Sequence, residues 1–118
     1  MPSTTICKRG DIVLVPFPFT DLSAIKQRPA LVVSADTWNA SHADVVLVAV
    51  TSQLPVHSSA GEISLSSADL LAGGLPRASL VRTTKIFTMH QGLLRRTLGT
   101  LPGATVAVVL DELRRFFV

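Results

Sequence analysis

The sequence predicts a small α+β domain, mostly β and barrel-like, built from five or six strands with its helices late in the chain. Three features point there. The apolar residues fall in short β-branched runs such as Ile12-Val13-Leu14-Val15 and Val45-Val46-Leu47-Val48, too short for buried helices and typical of strands. Clusters of Gly, Pro, Asn, Asp and Ser separate these runs, as turns between strands require. The last segment, Pro102 to Val118, changes to helical periodicity. A chain of 118 residues, 47% apolar and 16% charged, carries enough hydrophobic material for one core, so residues 1–118 are expected to form a single folded domain.

Taken in order, Gly10-Asp11 is a turn entering the first strand, Ile12 to Val15, which Pro16 and Pro18 end or confine to an edge. A loop from Phe19 to Arg28 follows, and Pro29-Ala-Leu-Val-Val-Ser34 reads as a second strand with proline at its first position. Asp36, Asn39 and Asp44 mark turns before the third strand, Asp44 to Thr51, which is apolar on both faces and therefore central. After the loop Leu54 to Gly61, Glu62-Ile-Ser-Leu-Ser alternates like a half-buried strand, and Ala72-Gly-Gly-Leu-Pro76 turns the chain again. Ser79 to Thr88 favours strand, with Arg82 and Thr84 on one face and Thr83 and Lys85 on the other. A short helix is expected around Gln91 to Leu98, stopped by Gly99. In the final helix Val106, Val109, Leu110, Leu113, Phe116 and Phe117 form the core-facing stripe, opposite Asp111, Glu112, Arg114 and Arg115.

Several function classes lose their usual supports. No apolar run approaches the roughly 20 residues needed to cross a bilayer, and Met1-Pro-Ser-Thr-Thr-Ile lacks the parts of a secretory signal, so a cytoplasmic protein without a membrane partner is expected. The single cysteine, Cys7, has no disulfide partner, and the three histidines lack ligand-like spacing, so neither metal nor cofactor is expected. There is no Gly-x-x-x-x-Gly-Lys loop, no Gly-x-Gly-x-x-Gly turn and no Gly-x-Ser-x-Gly elbow. Lys8-Arg9 beside Cys7 would lower a thiol pKa, although a buried cysteine is the commoner outcome.

The charge distribution says more than its net value of +3. From Leu70 to Leu110 there is no acidic residue, while Arg77, Arg82, Lys85, Arg95 and Arg96 all fall there. Each alone is an ordinary surface charge; convergence on one groove would make a polyanion site. Two strand junctions also carry polar clusters, Lys26-Gln27-Arg28-Pro29 and Thr51-Ser52-Gln53, where a rigid scaffold meets solvent.

Together, Lys8-Arg9-Gly10-Asp11-Ile-Val-Leu-Val, Arg28-Pro-Ala-Leu-Val-Val-Ser34, Val48-Ala-Val-Thr51-Ser52, Ser79-Leu-Val-Arg82 and Leu98-Gly99-Thr-Leu101 before an amphipathic helix make the chain resemble the MazF/PemK family of toxin ribonucleases, from about Lys8 to the end. The resemblance implies a small SH3-like barrel with a C-terminal helix, usually a homodimer, that cleaves single-stranded RNA at short sequences and is restrained by a cognate antitoxin. It matches Arg28 to the family's catalytic arginine and Thr51 to its catalytic threonine. Lys26, Gln27, Ser52, Gln53, Arg82, Thr84 and Lys85 are the expected RNA-binding residues. Some relatives carry a carboxylate where Thr84 stands, and many have Gly-x-Glu-Gln in the first loop, where this chain reads Leu22-Ser-Ala-Ile-Lys-Gln27.

RNA contains its own nucleophile, the 2′-OH, so the protein needs to take a proton, stabilise a doubly charged phosphorane-like state and help the 5′-oxygen leave. A guanidinium suits the last two tasks, because its planar fork holds two phosphate oxygens while staying charged. His90, Asp21 and Asp36 are the candidate proton acceptors. Two other readings stand beside this one: a toxin of the same fold acting on a protein such as DNA gyrase, and a catalytically silent RNA- or peptide-binding barrel. The gyrase-directed branch is expected to end in an aromatic-Gly-Ile tail, whereas this chain ends Arg115-Phe-Phe-Val118. Trp38, the one tryptophan, is expected in a loop, stacking a base or plugging the core edge.

Overall fold

In a computed structural model, residues 6–17, 26–55, 57 and 59–117 are described; Pro18, most of the first loop and Asp21 lie outside them. Six strands, β1 (Asp11–Phe17), β2 (Lys26–Val32), β3 (Asp44–Thr51), β4 (Glu62–Ser64), β5 (Leu80–His90) and β6 (Arg96–Thr100), form one sheet in the order β4-β5-β3-β2-β1-β6. Every pairing is antiparallel. The α+β class and the C-terminal helix are as expected, but the sheet is open, with β4 and β6 at its edges, and does not close into a barrel.

The two faces bury separate clusters. On one, Ile12, Leu31, Val48, Val50 and Val81 pack with Val106 and Val109 of the last helix, α3 (Gly103–Arg115). On the other, Val13, Val15, Ala30, Val32, Val45 and Leu47 pack together with Cys7. This alternation follows from side chains pointing to opposite faces along a strand. β2 and β3 are apolar in both sets because they lie inside the sheet.

Two helices depart from the sequence expectation. The stretch read as turns is a short helix, α1 (Asp36–Ser41), held by tertiary hydrogen bonds: buried Asn39 accepts from Ser34 Oγ at 2.5 Å and donates to the Ser34 carbonyl at 3.1 Å, while Gln91 Nε2 donates to the Asn39 and His42 carbonyls. Trp38 therefore lies in a helix, half exposed, with its ring stacked on His42 and its Nε1 donating to the Asp44 carbonyl. A second helix, α2 (Ser67–Gly73), opens on a capping box between Ser66 and Asp69 and ends at Gly74 with φ of 68°. Ser66-x-x-Asp69 ahead of Leu70-Leu71 is the sequence signal that marks it.

The helix expected at Gln91 to Leu98 is only a 3₁₀ turn, Gln91–Leu93, followed by β6. Tertiary pairing overrides local preference here: the Arg95 N–H donates to the Leu14 carbonyl, and β6 pairs with β1 from Arg96 to Thr100. Gly99 is required at that edge, since a Cβ there would lie 2.3 Å from the Ala72 carbonyl oxygen; α2 thus packs backbone to backbone on β6. α3 ends at Arg115, so Phe116 and Phe117 leave its apolar stripe and are exposed rather than core. Among the described residues no helix is long and apolar enough to cross a membrane.

Asp69 ties α2 to α3. Burial pushes its carboxyl pKa up, but hydrogen bonds from Thr105 Oγ1, at 2.6 Å, and from Ser66 outweigh that and leave it below the ordinary value. A carboxyl held low contributes stability above the unfolded value, about 3.9, and that contribution disappears as pH falls through the folded value. Asp69→Asn is expected to lower stability by about 1 kcal/mol at neutral pH and to flatten the acid-side loss below about pH 4, as read from urea melts across a pH series.

Candidate active site

The site begins with an interrupted ladder. β2 pairs with β3 only at Ala30↔Ala49, Leu31↔Val48 and Val32↔Leu47. The next residue outward is Pro29, which has no N–H to donate. It lies inside β2, opposite Leu14 of β1, rather than at the strand's first position. Continuing the β2–β3 register would set Arg28 opposite Thr51, on the face that carries Ala30 and Ala49. Pairing stops short of them, and the two strand ends border a small cleft of about 150 Å³ lined by Arg28, Ala49, Val50, Thr51, Gln53, Arg82 and Lys85.

A bulge supplies the remaining cations. β5 pairs with β3 at Val48↔Ile86 and then at Ala49↔Arg82, so Thr83, Thr84 and Lys85 are looped out of the ladder. Thr83, expected to share a face with Lys85, is fully buried, and both its N–H and Oγ1 donate to the Gly61 carbonyl, at 2.9 and 2.7 Å. Simple alternation fails across this bulge, so Arg82 and Lys85, expected on opposite faces, line the same cleft. Thr84 is exposed and Lys26 is exposed at the start of β2; neither lines this cleft or the larger one that Arg28 also borders.

Arg28 also borders a larger cleft of about 700 Å³, together with Gln27, Pro29, Ser52, Arg77, Arg96 and the apolar side chains Leu14, Leu70, Leu71, Leu75 and Leu98. Gln27 and Ser52 alternate with Arg28 and Thr51 along their strand ends and turn toward this second space. Arg28, Arg77, Arg82, Lys85 and Arg96 therefore converge on two clefts that share Arg28, and no Asp or Glu appears in either lining among the described residues. Arg95 stands outside both linings. Convergence of this kind makes the potential over both clefts positive.

Chemically the smaller cleft offers cations, an amide and a hydroxyl. Among the described residues the Arg28 guanidinium has no hydrogen-bond or ion-pair partner. Thr51 Oγ1 accepts the Gln53 N–H at 3.1 Å, which leaves its O–H proton to donate elsewhere. Of the proton acceptors considered from sequence, Asp36 accepts from the Arg9 N–H and His90 Nδ1 accepts from the Gly92 N–H, and neither borders a cleft. Cys7 is buried; burial and then the Asp11 charge push its thiol pKa up, opposite to what Lys8-Arg9 alone would do. Sequence reasoning did not single out Glu62, the carboxylate beside Arg82; its place opposite that arginine depends on the β4–β5 register.

Comparison with solved structures identifies the fold. A mycobacterial endoribonuclease in complex with its cognate antitoxin superposes with a TM-score of 0.76 at 22% identity, covering 94% of each chain. A MazE–MazF structure from Deinococcus radiodurans gives a TM-score of 0.74 at 20% identity, covering 96% of each chain. Residues 8–117 match the family of PemK-like, MazF-like toxins of type II toxin-antitoxin systems, and the chain belongs to that family. Among its relatives are Endoribonuclease MazF2 of Mycobacterium bovis and Endoribonuclease MazF6 of Mycobacterium tuberculosis, each 33% identical over 91 residues, which are 76% of this chain and 77% of the relative.

A guanidinium with no side-chain partner among the described residues, such as that of Arg28, adds little to folding. Arg28→Ala is therefore expected to leave stability within about 0.5 kcal/mol of the parent or to raise it; a loss well beyond that in a urea melt would make Arg28 a structural residue.

Proposed function

We propose that this protein is a cytoplasmic toxin endoribonuclease that cuts single-stranded RNA at selected short sequences, without a metal ion, and is held in check by a cognate antitoxin. The observation that carries the reading is the shared cleft of Arg28 and Thr51, flanked by Arg82 and Lys85 and free of lining carboxylates among the described residues. Such a lining attracts a phosphodiester and an acidic protein side chain alike, so substrate and inhibitor can compete for the same charges.

In the reaction the 2′-oxygen bonds to the adjacent phosphorus and loses its proton, the P–O5′ bond breaks, and the 5′-oxygen takes up a proton. The products are a 2′,3′-cyclic phosphate and a 5′-hydroxyl. Arg28 holds the non-bridging oxygens as their charge grows, and the Thr51 hydroxyl donates one further hydrogen bond. Both contributions gain strength in the transition state, where the phosphoryl group carries most charge, so they raise turnover rather than ground-state affinity alone. Lys26, Gln27, Ser52, Gln53, Arg82, Thr84 and Lys85 are proposed to bind the strand on either side.

The larger cleft supports the partner. Leucines from α2 and β6 beside Arg28, Arg77 and Arg96 suit a segment that is both apolar and acidic, and a peptide seated there would cover Arg28. A homodimer is proposed as the working form, since two copies would present a longer cationic surface to one strand.

Purified protein incubated with a long single-stranded RNA in EDTA is expected to give discrete fragments ending in 2′,3′-cyclic phosphate. Arg28→Ala is expected to abolish cutting, and Thr51→Ala to slow it by about 10²–10³, with fold retained by circular dichroism. RNA left intact by the parent protein would favour the gyrase-directed or silent-binder reading, and cleavage retained in Arg28→Ala would remove the proposed site.

A further inference from the structure

Arg82 is held in an unusual way. The β4–β5 register sets Glu62 opposite Arg82, and Glu62 Oε2 lies 3.4 Å from Arg82 Nε. The other carboxylate oxygen is fixed, because Glu62 Oε1 accepts the Ser59 N–H at 2.8 Å. The Glu62 side chain is only 10% exposed, so it is not a freely solvated surface charge. Arg82 Nε is itself buried and has no hydrogen-bond partner; what links the pair is charge, without hydrogen-bond alignment. Meanwhile Arg82 lines the cleft of Arg28 and Thr51.

A guanidinium has two edges that can grip a phosphate, one using Nε and one Nη, the other using both terminal nitrogens. Glu62 stands at the Nε edge. Among the described residues nothing engages the terminal pair.

We propose that Glu62 is a positioning residue for RNA recognition: anchored on Ser59, its carboxylate holds the Nε edge of Arg82 so that the terminal fork faces a substrate phosphate next to the one at Arg28 and Thr51. This rests on the nuclease reading. The carboxylate compensates the desolvated Nε, which would otherwise be a buried charge without a partner. It also fixes the arm of Arg82 in one direction before RNA arrives, which reduces what binding must order. Ala30 and Ala49, in register with Arg82 across β2 and β3, leave room on that face for an extended arginine.

The test measures binding to a mixed-sequence, 2′-O-methyl single-stranded RNA, which lacks the nucleophile, over a salt series. Glu62→Ala and Arg82→Ala are each expected to weaken binding roughly tenfold, as loss of a charge-assisted hydrogen-bonded contact does. Each is also expected to lower the slope of log affinity against log salt by about 0.7, the value for one phosphate on a single strand. The double variant should bind no more weakly than Arg82→Ala, because Glu62 acts only through that arginine. Glu62→Gln keeps an acceptor for the Ser59 N–H and covers the case in which Glu62→Ala does not fold; its slope should fall likewise. Tighter binding by Glu62→Ala would make Glu62 a competitor for phosphate and overturn the proposal, as would an unchanged slope or additive losses in the double variant. A parent protein that neither binds nor cuts RNA overturns the nuclease reading and this inference together, whereas parent binding with unaffected Glu62 variants overturns this inference alone.

Discussion

The site depends on one interruption in the β2–β3 ladder. Three paired residues, Ala30 to Val32, bind β2 to β3, and beyond them Pro29 offers no N–H to continue. Were the ladder unbroken, Arg28 and Thr51 would be ordinary cross-strand neighbours with their side chains packed side by side. Because it stops, the strand ends flank a space, and two groups of complementary chemistry face it from rigid supports. Rigidity on both sides matters as much as the gap: β2 remains paired to β1 as far as Lys26, and β3 remains paired to β5 as far as Thr51.

Around that gap the cations Arg28, Arg82 and Lys85 gather with no carboxylate in the cleft lining among the described residues. The ion pairs Arg114–Asp111, fully at the surface, and Arg115–Glu112, partly so, sit on α3, away from the cleft linings, and contribute little to stability. Near the cleft, Glu62 is ion-paired with Arg82. Repulsion among neighbouring cations is a modest cost that solvent screening reduces, and a bound polyanion reverses its sign. A folding penalty of this kind, placed where a ligand removes it, is the ordinary mark of a binding site.

Much of this was legible in the sequence. β3 is found with the bounds its apolar run predicts, Asp44 to Thr51, because burial on both faces leaves an unambiguous pattern. The acid-free stretch from Leu70 to Leu110 supplies Arg77, Arg82, Lys85 and Arg96 to the two clefts, and Arg28 of the Arg-Pro-Ala-Leu-Val segment borders both. What was hidden depends on partners distant in the chain. Six residues rich in Asp, Ser and Asn read as a turn, yet form α1 because Ser34 and Gln91 hold Asn39 and the carbonyls around it. Arg82 and Lys85 share a cleft only because Thr83 turns inward to the Gly61 carbonyl, 22 residues away. Phe116 and Phe117 fit the helical stripe by spacing alone, but the helix ends before reaching them.

The most direct test of this account is the structure of the protein with a 2′-O-methyl oligoribonucleotide bound. A phosphate within hydrogen-bonding reach of both the Arg28 guanidinium and the Thr51 hydroxyl is the expected result. An oligonucleotide seated on the α3 face, with the space between β2 and β3 left to solvent, would contradict it.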